Sequence, residues 1–256
     1  MTTPPEPIDM ERHRAEHSPE AIRASLEQGP DPSDLKDVVY GAIDGAVTTF
    51  AVVSGVAGAD LSSGIVLVLG AANLVADGFS MGAANFLGTR AELALRDRMR
   101  RAELRHIEIY PEGEREEVRQ IYKLKGFEGE DLERVVDVIT SDVDRWVDLM
   151  MMEHHGVSPA APSPLRAATA TFVSFLVVGS VPLSVFVVDY VAPGTVAAPF
   201  AVSAALTGAA FVAIGALKGR FVEQRWWAAS LETLLIGSIA ASLAYAAGVL
   251  LRGLVD

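Results

Sequence analysis

Two sets of residues in this sequence have the types and spacing to do chemistry. The first lies inside apolar runs. Asp44 sits within Tyr40-Gly-Ala-Ile-Asp-Gly-Ala-Val-Thr-Thr49, and Asp77 within Asn73-Leu-Val-Ala-Asp-Gly-Phe-Ser-Met81. An ionisable group at the centre of a spanning helix costs roughly 2.5–3.5 kcal/mol on insertion scales, so its presence asks for a functional reason. Asn73, Asp77, Met81 and Asn85 recur every fourth residue and therefore share one helix face. A carboxylate, two amides and a thioether on one face suit a path for a partly dehydrated, borderline-soft cation. Asn and Asp also join helices by hydrogen bonds. That explanation suits one such residue; a stripe of four opposite an aspartate on the neighbouring helix reads as a transport path.

The second set lies in a polar stretch. Glu103 and His106 are three residues apart, as are Glu114 and Glu117; Met150 is three from Glu153 and four from His154. Each pair falls on one helix face. Carboxylates and imidazole suit Fe²⁺, Mn²⁺ and Zn²⁺, and methionine adds a softer contact that Mg²⁺ and Ca²⁺ do not favour. Spacing alone describes many solvated, Glu-rich helices. The unusual feature is Met150-Met-Met-Glu-His-His155, three thioethers beside acid and imidazole, a few residues from an apolar run.

The elements that must position these residues follow from the pattern of hydropathy. Half the residues are hydrophobic and 21% are charged, which means segregation rather than mixture. Five apolar runs are each long enough to span a bilayer, which takes about 20 residues: 38–59, 65–87, 167–188, 196–217 and 226–251. Between the second and third, residues 90–155 hold 12 Lys/Arg and 17 Asp/Glu, too many for hydrocarbon. The second span is expected to continue as a helix into water until Pro111. Helices are then expected over 112–125, 131–139 and 142–155, the last closed by Gly156 and the prolines at 159, 162 and 164. The expected organisation is a polar tail over 1–36, two spans within 37–89, an insert over 90–164 and three spans within 165–256. The fold class is thus an all-α membrane protein with a small helical domain inserted between transmembrane helices 2 and 3.

Orientation follows from the distribution of Lys and Arg. With the insert in the cytoplasm, 20 of the 21 basic residues lie inside and Arg252 is the exception. The N-terminus is then inside and the C-terminus outside. Trp226 and Trp227 stand where interface anchors belong. Glu232, one turn into the last span, either snorkels to that interface or stands near a pore mouth. The net charge of −12 disfavours nucleic acid and anionic headgroups and favours a cation as ligand. Cysteine is absent, which excludes disulfides and thiolate sites. No apolar signal-peptide core appears in the first 36 residues, and a prokaryotic plasma membrane is the expected location.

These motifs, in this order, resemble the vacuolar iron transporter family. The resemblance rests on Lys36-Asp-Val-Val-Tyr-Gly-Ala-Ile-Asp-Gly45, Asn73-Leu-Val-Ala-Asp-Gly-Phe-Ser-Met-Gly82, Pro111-Glu-Gly-Glu-Arg-Glu-Glu-Val118, Trp146-Val-Asp-Leu-Met-Met-Met-Glu153 and Leu231-Glu-Thr-Leu-Leu-Ile-Gly237. It implies a homodimer of five-helix subunits that moves Fe²⁺, and often Mn²⁺, out of the cytosol against protons, with no prosthetic group. Carried over by position, the ligands of the cytoplasmic metal-binding domain fall on Glu103, His106, Glu114, Glu117, Met150, Met151 and the Glu153/His154 pair. The membrane path falls on Asp37, Asp44 and Met81.

Two departures from the family pattern stand out. His106 and His154 occupy positions where the family has glutamate, which moves preference toward borderline metals such as Zn²⁺ and Co²⁺ and makes binding pH-sensitive near neutrality. A shift of alignment would put Glu108 in place of His106. Asn73 replaces an acidic position of some members, with Asp77 one turn on as the substitute acid. In a cavity of low dielectric a carboxylate favours its protonated form, and a bound cation favours the ionised one. Protons and metal therefore compete for Asp44 and Asp77, the least that an antiporter needs. A membrane-anchored metal buffer or sensor is the alternative. For an enzyme the sequence offers no nucleophile–base pair or phosphate loop, and one Glu-x-x-His copy at Glu103.

Overall fold

The computed structural model describes residues 10–28, 34–157 and 161–254, and the regular structure among them is entirely helical. The helices are α1 (Met10–Glu16), α2 (Pro19–Gln28), α3 (Leu35–Gly58), α4 (Ser63–Ile109), α5 (Pro111–Leu124), α6 (Gly129–Thr140), α7 (Val143–Glu153), α8 (Pro164–Val191), α9 (Pro199–Phe221) and α10 (Trp226–Leu251), with a 3-10 turn over Arg252–Leu254. Five of them, α3, α4, α8, α9 and α10, are long and apolar enough to cross a membrane. Each carries one of the apolar runs of the sequence. Parts of the expected tail (1–9 and 29–33) and of the loop closing the insert (158–160, with Pro159) lie outside the described residues.

Helix boundaries follow local chemistry. α5, α8 and α9 each begin with proline in the first turn, where the missing N–H has no helical partner to lose. Pro111 therefore starts α5 as well as ending α4. The Asp142 side chain caps α7, accepting from the Arg145 N–H at 2.8 Å. At its other end α7 stops two residues earlier than the expected His155. Gly156 adopts φ +65° and the Val157 N–H bonds to Met151 O at 2.9 Å, a Schellman-type reversal.

The described residues divide into two compact units, one within Met1–Pro32 and Ala91–Pro162, the other within Ser33–Arg90 and Ser163–Asp256. In the second unit α3 is the central helix, packed by α8, α9 and α10. Glycine makes the α3–α8 contact close. A Cβ on Gly45 would stand 2.4 Å from Phe175 O, and one on Gly41 2.3 Å from Thr171 O, so neither position admits even alanine without moving a helix. Phe50, Val53, Val66, Leu183 and Phe186 fill the space beyond. Arg252, the one basic residue assigned to the outer side, pairs with Asp60.

The first unit is built on an apolar core of Ile107, Val118, Leu132, Val136, Trp146, Val147, Leu149, Met150 and Met151. Around it Arg100 pairs with Asp144 at 2.8 Å and with Asp148. Arg119 grips Glu133 with two bonds, at 2.7 and 3.0 Å. Exposed pairs of this kind each contribute about 0–1 kcal/mol. The core, not the charges, fixes the helix faces that carry the candidate ligands.

Candidate metal centre and membrane path

In the spanning unit the polar stripe of α4 faces protein and divides into two groups. Asn73 donates to the Asp77 carboxylate, and the Asn73 carbonyl oxygen is buried without a donor. Asp77 lies close enough to Asp44 on α3 for their charges to interact. Among the described residues no side-chain donor reaches the Asp44 carboxylate; the neighbouring Thr48 hydroxyl donates instead to the Asp44 backbone oxygen at 2.8 Å. Asn85 forms the second group. Its amide nitrogen meets Asp37 Oδ1 at 2.9 Å, Thr171 Oγ1 at 2.7 Å and Ala167 O at 3.3 Å. One amide therefore ties α4 to α3 and α8. Met81 is half-buried and stands between the two groups in sequence. Glu232 pairs with Lys218 at 2.9 Å, a partner that both alternatives left open by the sequence accommodate.

In the insert unit Glu103 is the centre. Its side chain is 2% exposed, yet it faces other potential ligands instead of a lysine or arginine. His155 Nε2 lies 3.0 Å from Glu103 Oε2, and among the described residues no N–H or hydroxyl reaches the buried Glu103 Oε1. Two sets of three ligand atoms each lie within 4.8 Å of one another: Glu103–His106–Glu114 and Glu103–His154–His155. Within them His106 Nδ1 stands 3.6 Å from Glu114 Oε1. His154 Nδ1 stands 2.9 Å from Glu117 Oε2.

Glu114 shows what this arrangement does electrostatically. Burial, then hydrogen bonding to the Glu103 carboxyl and repulsion from Glu103 and Glu117, pushes its pKa up to about 7. Its Oε2 is buried and no N–H or hydroxyl reaches it. Two adjacent carboxyls short of donors hold a proton between them, and a cation relieves the same repulsion. On the outer side of α5, by contrast, Glu116 is held below its ordinary range by hydrogen bonds from Gln120 and Arg119. Position, not residue type, separates the two glutamates.

The remaining candidates are placed differently. Glu153 points to Lys125, in an ion pair, and belongs to neither ligand set. Met150 is fully buried and Met151 7% exposed, both in the apolar core. Glu108 is exposed and outside both sets, so of the two alternatives His106 is the one placed among ligands. His155 was not legible as a ligand from helical spacing, because it follows the last helical residue and is placed by the Gly156 reversal. The doubled His154-His155 ahead of that glycine was the available signal.

Comparison with known proteins finds relatives over most of the chain. A profile of the VIT family matches residues 35–249. The vacuolar iron transporter of Toxoplasma gondii is 32% identical over 256 residues, covering 95% of this chain and 85% of that protein. Vacuolar iron transporter 1 of Oryza sativa subsp. japonica is 29% identical, covering 91% of this chain and 89% of that protein. Vacuolar iron transporter 1 of Arabidopsis thaliana is 30% identical, covering 82% and 83%.

Proposed function

The chain belongs to the VIT family, and from that premise we propose that it is an integral membrane exporter of divalent iron, with Mn²⁺ as a further substrate, driven by protons moving the other way. The observation that carries this reading is the Asp44–Asp77 pair. Two carboxylates on separate spans stand within range of each other's charge, in helices otherwise apolar enough to cross a membrane. Such a pair is costly in lipid and is relieved by a proton or by a divalent cation. Exchange of one for the other is the elementary step of an antiporter.

Each group then has a role. Glu103, His106, Glu114 and His154 collect metal in the insert, with Glu117 orienting His154. Asp44 and Asp77, with Met81, offer ligands along the membrane path, and Asn85 holds Asp37 at the α3–α4–α8 junction. Both sets include residues of one continuous helix, α4. The insert faces the cytosol in this reading, because that orientation leaves only Arg252 outside, paired there with Asp60. The assembly is a homodimer, and a second copy supplies a cover for the exposed Val68, Leu69, Val75 and Phe79 of α4.

Purified protein in liposomes tests this directly. Fe²⁺ supplied under reducing conditions should cross down its gradient, and a pH dye should report protons moving in the opposite direction. Metal binding with no flux would support a membrane-anchored buffer instead.

A further inference from the structure

We propose that Glu103, His154 and His155 form a second divalent-metal position, sharing Glu103 with the carboxylate-rich set Glu103–His106–Glu114 and preferring borderline ions such as Zn²⁺ and Co²⁺ over Mn²⁺. The inference rests on the reading that the insert binds metal. It adds a ligand, His155, and a division of labour between two positions.

Three observations meet at this point. The Glu103 side chain is 2% exposed, and among the described residues no N–H or hydroxyl reaches one of its oxygens, the buried Oε1. A buried carboxylate short of donors is costly; a proton shared with Glu114 or a cation bound by the carboxylate removes that cost. Its other oxygen already faces His155 Nε2 at 3.0 Å. An ion about 2.1 Å from both atoms would see them at roughly 90°, and opening the gap to roughly 3.4 Å would give the tetrahedral angle. The movement needed is a few tenths of an ångström. The proton shared between nitrogen and oxygen leaves as the ion enters.

His154 is prepared from its other side. Its Nδ1 stands 2.9 Å from Glu117 Oε2, leaving Nε2 free to bind metal. A carboxylate holding the second ring nitrogen is the usual support of a metal-bound histidine, fixing tautomer and orientation. The two imidazoles are stacked, with ring centroids 4.7 Å and planes 8° apart. The half-exposed His154 ring must therefore turn about χ2 for both nitrogens to meet one ion. Their placement is set by the fold: Gly156 reverses the chain at φ +65° and Val157 packs on the insert's apolar core.

Two imidazoles and one carboxylate suit Zn²⁺ and Co²⁺, whereas Mn²⁺ gains more from the oxygen-rich set. Glu103, with two oxygens, can serve both positions. The two sets then sort metals by ligand type while remaining linked through one side chain.

The test uses the full-length protein in detergent with Zn²⁺ or Mn²⁺ alone. The X-ray absorption spectrum of the parent at one equivalent of Zn²⁺ should show two imidazole ligands. His155→Gln keeps a donor for Glu103 but lacks the ring nitrogen. It should lower Zn²⁺ affinity by at least roughly tenfold, leave Mn²⁺ affinity close to the parent's, and reduce the spectrum to one imidazole. One imidazole or none in the parent overturns the proposal, whether or not the variant folds. So does His155→Gln with the parent's Zn²⁺ affinity and spectrum. Two imidazoles in a parent that moves no metal across liposomes would sink the transporter reading and leave this site standing. Normal flux with normal Zn²⁺ binding by His155→Gln would do the reverse.

Discussion

Of the three acidic side chains within the apolar runs of α3 and α4, two are met by an amide. Asn85 donates to Asp37 and Asn73 to Asp77, while Asp44 has no side-chain donor among the described residues and lies within range of the Asp77 charge. In the insert the carboxylates meet one another and imidazoles. Glu103 and Glu114 each retain a buried oxygen without a donor. In the spans two acids are thus partly solvated by amides, and the Asp44–Asp77 pair alone keeps repulsion that a cation relieves. In the insert the repulsion between Glu103 and Glu114 is relieved by a proton or by a cation. A path must bind weakly enough to release its ion, and a collecting site need not. In the function proposed above, the two regions divide those tasks.

The sharpest way to break this contrast is to remove the residue shared by both ligand sets. Glu103→Gln should weaken Zn²⁺ or Fe²⁺ binding by more than the roughly 10–100-fold that loss of a supporting partner costs. Competition against a chromophoric chelator measures this. Parent-like affinity would mean that Glu103 is merely a buried acid.

Glu114 predicts the pH dependence. Its pKa of about 7 leaves it protonated at pH 6 and ionised at pH 8. Metal must displace that proton, so affinity should fall on acidification below about 7, by up to about tenfold per pH unit for one proton displaced. The effect on folding has the opposite sign. With a folded pKa above the ordinary 4.5, the contribution is full below 4.5 and is lost as pH rises through about 7. The metal-free protein should therefore melt lower at pH 8 than at pH 6, as far as this group decides it. Glu114→Gln should flatten both trends, read by titration and by thermal unfolding. A parent whose affinity does not change between pH 6 and 8 would contradict the carboxyl pair.

Methionine supplies the smallest effect. Met150 is fully buried in the insert's core, so Met150→Leu should change stability by less than about 1.5 kcal/mol and leave metal affinity unaltered. A loss of affinity without a loss of stability would restore its thioether to the ligand set.

Much of this architecture was legible in the sequence. Apolar length marked the five spans and charge density the insert, because both depend on composition over many residues. The every-fourth-residue stripe placed Asn73, Asp77, Met81 and Asn85 on one face of α4. Its division into two groups was not legible, since it depends on Thr171 and Ala167 of α8, which lie far away in the chain. Met150 looked like a ligand by helical spacing, yet that spacing also marks the buried face of α7. Glu153 has the same spacing and turns to Lys125. His155 was missed because periodicity ends where Gly156 reverses the chain, and side-chain direction beyond that point is set by the turn.

The central claim, that the insert collects and the spans conduct, is tested most directly by the metal dependence of flux in liposomes with the insert facing the metal. For Glu103→Gln the maximal rate should remain near the parent's, while half-saturation moves to higher Fe²⁺. For Asp44→Asn the rate should stay at background even at saturating Fe²⁺. Parent-like flux in Asp44→Asn, or flux abolished at every metal concentration in a well-folded Glu103→Gln, would contradict the account.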